Sequence, residues 1–210
     1  KPAVIGLIEG IAETTASLLK IFSGWFSDRL RARKGLTVAG YGLSTLVKPF
    51  LYGVTSWWGV LAVRVTDRIG KGIRTAPRDA LVADSITPEH RGLAFGLHRA
   101  GDTAGAAVGI LLALLIVLAT QSGTVALTRE TFQIAVLVSI VPALLAVIVL
   151  AVGARDVPVT SQRAAPKLSL RGFDRRFYVF LLAVVIFTLG NSADAFLILR
   201  AQERGLSAAG

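Results

Sequence analysis

Hydrophobic residues are concentrated in six long stretches, and a polar segment separates each stretch from the next. A helix rises about 1.5 Å per residue, so a stretch of about 20 apolar residues crosses the roughly 30 Å hydrocarbon layer of a bilayer. The pattern therefore predicts an all-α integral membrane protein, folded as a bundle of transmembrane helices. The predicted spans are residues 3–26, 36–52, 57–83, 93–119, 132–152 and 177–199.

The third stretch carries a basic stripe. Bases recur every three or four residues and share one helical face, and Asp67 lies in the same arc. A lipid-facing charge at the bilayer centre costs about 2.5 to 3.5 kcal/mol, so the stripe must face water or other helices. A solvated helix joining two spans is one interpretation, but the interfacial Trp57 and Trp58 favour a spanning helix that lines a polar cavity. The basic stripe consists of Arg64, Arg68, Lys71, Arg74 and Arg78.

The composition and motifs of the chain argue against several classes of function. The 210 residues include no cysteine and two histidines, so neither a metal site nor any other cofactor is expected. The sequence shows no nucleophile paired with a base and no phosphate-binding loop, which argues against an enzyme. The net charge of +10 lacks the aromatic and glycine pattern of an RNA-binding tail, so no nucleic-acid partner is expected.

Most of the bases between the spans lie on one side of the predicted bundle, in segments 27–35, 84–92 and 153–176. The positive-inside rule makes these segments cytoplasmic and predicts a multi-pass protein of the inner (plasma) membrane. The chain contains no methionine, so Lys1 is not expected to be a translation start, and the chain is expected to be a fragment.

The turn after the first span reads GWFSDRLRARKGL and is too short for anything but a helix hairpin. An acid and several bases in such a turn form ion pairs and cap helix ends. The segment resembles the G-x-x-x-D-R-x-G-R-R/K signature of the major facilitator superfamily, although Arg31 stands where that family usually has glycine. The resemblance implies a cytoplasmic gating motif made of Gly24, Asp28, Arg29, Arg33 and Lys34.

Two further segments resemble the same family in register. RVTDRIGKG is similar to the R-x-x-Q-G-x-G signature of its fourth helix, with Arg64 in the position of the arginine, while Asp67 and Arg68 replace glutamine and glycine. GDTAGAAVG is similar to the G-x-x-x-G-P-x-x-G antiporter signature of its fifth helix, with Ala106 in place of proline. Small residues at this spacing also permit close helix packing. The matching glycines are Gly101, Gly105 and Gly109.

The resemblance implies an organisation for the whole chain. The spans would be helices two to seven of a twelve-helix fold. Residues 1–153 would form a partial N-terminal bundle of five helices, residues 154–176 a cytoplasmic linker, and residues 177–210 the first helix of the C-terminal bundle. In the family two bundles rock about a midplane site and give alternating access. The full-length protein is expected to be a monomeric transporter whose partners are a small-molecule substrate, protons and the lipid bilayer.

Acids within the spans are candidates for a proton pathway, because desolvation raises a carboxyl pKa and a nearby base lowers it again. Asp102 is the first candidate, because it lies four residues from His98 and three from Arg99 on one helical face. A permanent ion pair between Arg99 and Asp102 is the structural alternative.

Other polar residues extend this pathway. Glu9 and Glu13 lie four residues apart and are positioned to pair with Lys20 or with the basic stripe. Asn191 and Asp194 interrupt the last span and either reach the cavity or lie at the membrane interface. The stripe itself has two interpretations: an anion-binding lining centred on Arg64, Asp67 and Arg68, or a ladder that is paired internally with the acids.

These features predict a secondary active transporter that moves a small solute by alternating access, with proton-coupled efflux of a drug or metabolite as the first hypothesis. The basic stripe and the incomplete antiporter signature favour an alternative, an uptake symporter or exchanger for an organic anion. A hypothesis of another class is a non-transporting membrane scaffold or partner subunit.

Overall fold

The computed structural model describes residues 2–30, 32–120, 127–156 and 174–189, together with Phe196, Arg200 and Arg204. Within these residues the chain is helical, without a β-strand, as the hydropathy pattern predicts. A short 3-10 turn, Pro88–His90, precedes α5. The helices are α1 (Pro2–Leu30), α2 (Arg33–Val47), α3 (Phe50–Gly53), α4 (Trp57–Asp84), α5 (Arg91–Thr120), α6 (Arg129–Gly153) and α7 (Arg175–Leu189).

Local sequence signals account for several helix ends. The Ser56 hydroxyl accepts a hydrogen bond from the Gly59 N–H at 3.2 Å and caps the start of α4. The Thr128 hydroxyl accepts from the Thr131 N–H at 3.3 Å and caps α6 in the same way. The second predicted span is interrupted, because α2 ends at Val47 and the chain turns at Pro49 before the four-residue α3.

Two of the described helices are long and apolar enough by themselves to cross a membrane. They are α6 and the segment Pro88–Thr120, which contains α5, and their mean hydropathies are 3.0 and 2.4. The helices α1 and α4 are as long, at 29 and 28 residues, but they carry many more charged residues. These charges lie largely between helices, which is how a bundle keeps them away from lipid.

The helix α4 lies between α1 and α2, and α6 packs on α2. Contacts of small residues bring these backbones close together. A Cβ built on Gly70 would lie 2.6 Å from the Gly40 carbonyl oxygen, and one built on Gly72 would lie 2.9 Å from the Ala16 carbonyl oxygen. Close approach through glycine and alanine is the usual packing mode of helices in membranes. Few contacts join α5 to the other described helices, and no α5 side chain is buried in the described part.

Candidate functional site

The basic stripe of α4 faces α1, where two acids meet it. The Arg64 guanidinium forms an ion pair with Glu9, and its Nε donates to Glu9 Oε1 at 3.1 Å. Glu13 Oε1 lies 3.0 Å from Arg68 Nε and 3.7 Å from Lys71 Nζ. The Arg68 N–H is not directed at that oxygen, so this contact is electrostatic rather than a hydrogen bond. Of the two partners predicted for the acids, the stripe is the one observed.

The spacing of these pairs shows how the helices are aligned. Glu9 and Glu13 lie four residues apart on α1, and Arg64 and Arg68 lie four residues apart on α4, so the contacts repeat at each helical turn. From the first pair to the second, the residue number increases in both helices, so α1 and α4 run parallel. The result is the internally paired ladder, one of the two arrangements predicted for the stripe.

Arg74 is the exception within the stripe. No carboxylate oxygen of the described residues lies within 4.0 Å of its guanidinium. Its Nη1 donates to Ser44 Oγ at 2.7 Å, and its Cζ lies 4.3 Å from the centroid of the Tyr41 ring, so both contacts come from α2. Asp67 joins none of the pairs formed in the described part, although its backbone carbonyl accepts from Ser44 Oγ at 3.2 Å.

Asp102 links α5 to α4. Its Oδ2 lies 3.6 Å from His98 Nδ1 and 4.0 Å from Arg78 Nη1. Arg78 also donates from Nη2 to Asp79 Oδ1 at 3.0 Å. Within the described part Asp102 is paired with His98 and Arg78, so the predicted alternative, a pair with Arg99, is not the one observed. The Asp102 side chain is 55% exposed, which leaves it accessible to a proton donor.

At the C-terminal end of α4, Arg33 of the proposed gating motif meets the last turn of that helix. Asp28 Oδ1 lies 3.4 Å from Arg33 Nη2, while Arg33 Nη1 donates to the Ala80 carbonyl at 2.9 Å and pairs with Asp84. An arginine near a helix C-terminus complements the negative end of the helix dipole. Asp84 is visible in the sequence as the last acid before a polar turn, but nothing in the sequence predicts that it pairs with Arg33.

The remaining motif residues have separate roles. The Arg29 Cζ lies 5.4 Å from the centroid of the Trp25 ring. The Lys34 backbone N–H donates to Asp156 Oδ1 at 2.8 Å, which joins the start of α2 to the residues after α6. A Cβ built on Gly24 would lie 3.3 Å from Ala76 Cβ, so this glycine allows α1 to approach α4.

The antiporter-like glycines make no close contact within the described part, because a Cβ on any of them would meet no atom within 4 Å. The closest packing contacts of glycine are at Gly40, Gly70 and Gly72, for which the sequence predicted no packing role. Asn191, Asp194 and most of the predicted linker lie outside the described residues. The described residues contain no group of three potential metal ligands among His, Cys, Asp and Glu. The antiporter-like glycines are Gly101, Gly105 and Gly109.

Comparison with known proteins identifies relatives of the whole chain. Residues 1–210 match the family model described as Major Facilitator Superfamily. An uncharacterized MFS-type transporter of Methanocaldococcus jannaschii is 36% identical over 199 residues, which are 95% of this chain and 48% of the relative. An uncharacterized protein of Mycobacterium tuberculosis is 31% identical over 61% of this chain and 30% of its own length.

A relative with a more specific name matches a shorter part of the chain. The multidrug resistance protein MdtH of Photorhabdus laumondii is 32% identical over 52% of this chain and 27% of its own length. The chain thus spans about half of the archaeal relative and less than a third of the other two. No solved structure matches the chain.

Proposed function

Because this chain belongs to the major facilitator superfamily, we propose that it is part of a secondary active transporter that exports a drug or metabolite in exchange for protons. Residues 1–153 form most of the N-terminal bundle in this proposal. Residues 154–176 are a cytoplasmic linker, and residues 177–210 begin the C-terminal bundle. The full-length protein works as a monomer in the inner (plasma) membrane.

The contact of Asp102 with His98 and Arg78 supports proton coupling. An ionised Asp102 is attracted to Arg78 of α4 and to a protonated His98 of its own helix. Protonation of the carboxyl removes this attraction and frees α5 to shift against α4. Few other contacts join these two helices, so the charge on Asp102 has a large influence on their separation. This is the coupling that an antiporter requires between a proton and a conformational change.

The ladder between α1 and α4 supports efflux of a neutral or cationic solute. Glu9 pairs with Arg64, and Glu13 is shared by Arg68 and Lys71, so each of these three bases has a carboxylate partner. An anion site centred on Arg64 and Arg68 would first have to displace these carboxylates, at the cost of leaving them unpaired in a region of low dielectric. The name of the MdtH relative is in keeping with a drug as the solute.

One observation favours uptake or exchange of an organic anion as a second candidate function. No carboxylate oxygen of the described residues lies within 4.0 Å of the Arg74 guanidinium, which stacks on the Tyr41 ring, and a guanidinium can bind a carboxylate through two parallel hydrogen bonds. In this case the anion site is at Arg74 rather than at Arg64 and Arg68.

The test uses the full-length protein in everted membrane vesicles that carry a proton gradient. A pH-sensitive dye reports proton release when lipophilic cations, and separately organic anions, are added. We expect a response to cations that Asp102→Asn abolishes, while exchange of labelled substrate without a gradient continues. Glu130→Gln, an exposed acid at the start of α6, is the control and should respond like the parent protein.

Three other outcomes contradict the first proposal. A response to anions alone that is lost in Arg74→Gln supports the second candidate. Gradient-driven export that is unchanged in Asp102→Asn refutes the role of that residue. No response to any solute, from protein shown to be folded and inserted, supports the scaffold hypothesis.

A further inference from the structure

The helix α4 contains a proline, Pro77, well inside its 28 residues. Proline has no N–H, so the hydrogen bond that residue 77 of a regular helix donates to the Ile73 carbonyl cannot form. A helix bends more easily where such a bond is missing. Pro77 is fully buried and divides α4 into a long first part and a short end segment, residues 78–84.

The part of α4 before Pro77 is held by close backbone contacts. The Ser23 hydroxyl of α1 donates to the Gly72 carbonyl at 2.8 Å, and a Cβ on Gly72 would meet the α1 backbone at 2.9 Å. A Cβ on Gly70 would lie 2.6 Å from the Gly40 carbonyl oxygen of α2. Backbones that are packed this closely have little room to shift. We therefore expect the first part of α4 to stay with α1 and α2 when other elements move.

The end segment carries the partners of two separate charged groups. Nη1 of Arg78, its first residue, lies 4.0 Å from Oδ2 of Asp102 on α5. Asp84, its last residue, pairs with Arg33 of α2, whose Nη1 also donates to the Ala80 carbonyl at 2.9 Å. One short stretch of helix thus joins the proposed proton site to the charged cluster at the start of α2.

We propose that the end segment couples these two sites by bending at Pro77. While Asp102 is ionised and attracts Arg78, the segment keeps the position in which Asp84 meets Arg33. Protonation of Asp102 removes the attraction, the segment bends away, and the pair of Asp84 with Arg33 opens more often. Each site thereby changes the free energy of the other through the same stretch of helix. This coupling rests on the proton-carrying role proposed above for Asp102.

The test measures how readily reagent reaches a buried thiol near the cluster. Ser27 precedes Asp28 and is 1% exposed, and its hydroxyl has no hydrogen-bond partner in the described part, so Ser27→Cys breaks no such bond there. Ser27 lies about one turn beyond Gly24, which faces Ala76, so α4 contributes to its cover. The full-length protein is labelled with a water-soluble maleimide in detergent, at one fixed pH and without substrate or gradient. Peptide mass spectrometry follows the labelling rate at position 27.

In this background we expect Asp102→Asn to raise the labelling rate about fivefold, the lower end of the usual range for coupled sites. In Pro77→Ala the helix regains its hydrogen bond, so adding Asp102→Asn should leave the rate almost unchanged. Pro142→Ala restores the equivalent bond inside α6 and is the matched control. Adding Asp102→Asn to that variant should still give the full rise. An unchanged rate in Asp102→Asn alone, or an equal rise in the two proline variants, overturns the proposal.

A second variant keeps the proposal testable if Pro77→Ala does not insert into the membrane. Arg78→Gln removes the other partner of the contact and should raise the labelling rate as Asp102→Asn does. The double variant should label no faster than either single variant, because both changes release the same segment. Additive increases would show that Asp102 does not act through Arg78 and would overturn the coupling.

The vesicle assay described above separates this inference from the proposed function. If Asp102→Asn abolishes gradient-driven export but leaves labelling unchanged, the proton role stands and the coupling through α4 is refuted. If Asp102→Asn speeds labelling but leaves export unchanged, the coupling is supported and the proton role is refuted.

Discussion

At the scale of single residues, the ion pair of Glu9 and Arg64 shows what the ladder does. Glu9 is 20% exposed and Arg64 is 36% exposed, so each charge is partly removed from water. In such surroundings an unpaired charge costs more than the pair contributes in net stability. The pair is therefore best understood as mutual neutralisation that lets α1 and α4 lie side by side.

This interpretation predicts a specific result from a double-mutant cycle. Glu9→Gln and Arg64→Gln should each lower the stability of the protein in detergent, because each leaves one partly buried charge unpaired. The double variant should regain part of the loss, with a coupling energy of about 0.5 to 3 kcal/mol by thermal or denaturant unfolding. The control cycle combines Glu9→Gln with Arg78→Gln, whose contacts lie with Asp79 and Asp102, and should be additive. Equal coupling in both cycles would contradict a local pair.

At the scale of helices, the close contact of α2 with α4 depends on glycines, which have no side chain to keep the two backbones apart. A Cβ on Gly70 would lie 2.5 Å from Ser44 Oγ and 2.6 Å from the Gly40 carbonyl oxygen, and neither a backbone atom nor a bonded hydroxyl moves away easily. Close packing brings Ser44 to the Asp67 carbonyl and to Arg74. The glycines thus determine which α2 side chains reach the basic stripe.

Gly70→Ala should therefore destabilise the protein by about 1 to 3 kcal/mol, the cost of overpacking a close interface. Gly42→Ala is the matched control, because a Cβ at Gly42 meets nothing within 4 Å and alanine is the better helix former by about 1 kcal/mol. Melting temperatures in one detergent should fall for the first variant and stay level or rise for the second. An equal fall in both would mean that the close approach of α2 and α4 is not what Gly70 provides.

At the scale of the whole molecule, one arginine joins three helices. Arg33 at the start of α2 pairs with Asp28 near the end of α1 and with Asp84 at the end of α4. Its side chain is 16% exposed and that of Asp84 is 22% exposed, so this pair is screened less than a surface ion pair. We expect this cluster to hold the adjoining ends of α1, α2 and α4 together.

Asp84→Asn should loosen this end of the bundle. Thr37 of α2 is fully buried near the cluster, so Thr37→Cys provides a thiol that reacts with a water-soluble maleimide only when the helices separate. Adding Asp84→Asn should raise the labelling rate by about tenfold or more, since a hydrogen bond between charged groups contributes about 1.5 to 3 kcal/mol. Glu89→Gln changes an exposed acid in the neighbouring turn and should leave the rate unchanged. Labelling that is insensitive to Asp84→Asn would argue against the cluster as a closure.

At each of these scales, some features could be predicted from the sequence and others could not. The helical segments, their membrane character and the family follow from local sequence, through hydropathy and the three short signatures. The break between α2 and α3 was visible only as Lys48 and Pro49 within an apolar stretch, because proline permits either a kink or a helix end. Of the two partners of Asp102, His98 was predicted because it lies on the same helix. Arg78 was not predicted, because it belongs to another helix.

The sequence by itself determined that this chain is a helical membrane protein of the major facilitator superfamily, because apolar length and the burial of backbone polar groups within a helix are local properties. Only the tertiary structure decided that Glu9 and Glu13 pair with Arg64, Arg68 and Lys71 and that Arg74 turns to Tyr41 and Ser44. These pairings depend on the alignment of α4 with α1 and α2. That alignment is set where glycine and alanine let backbones touch, between residues that are far apart in the chain.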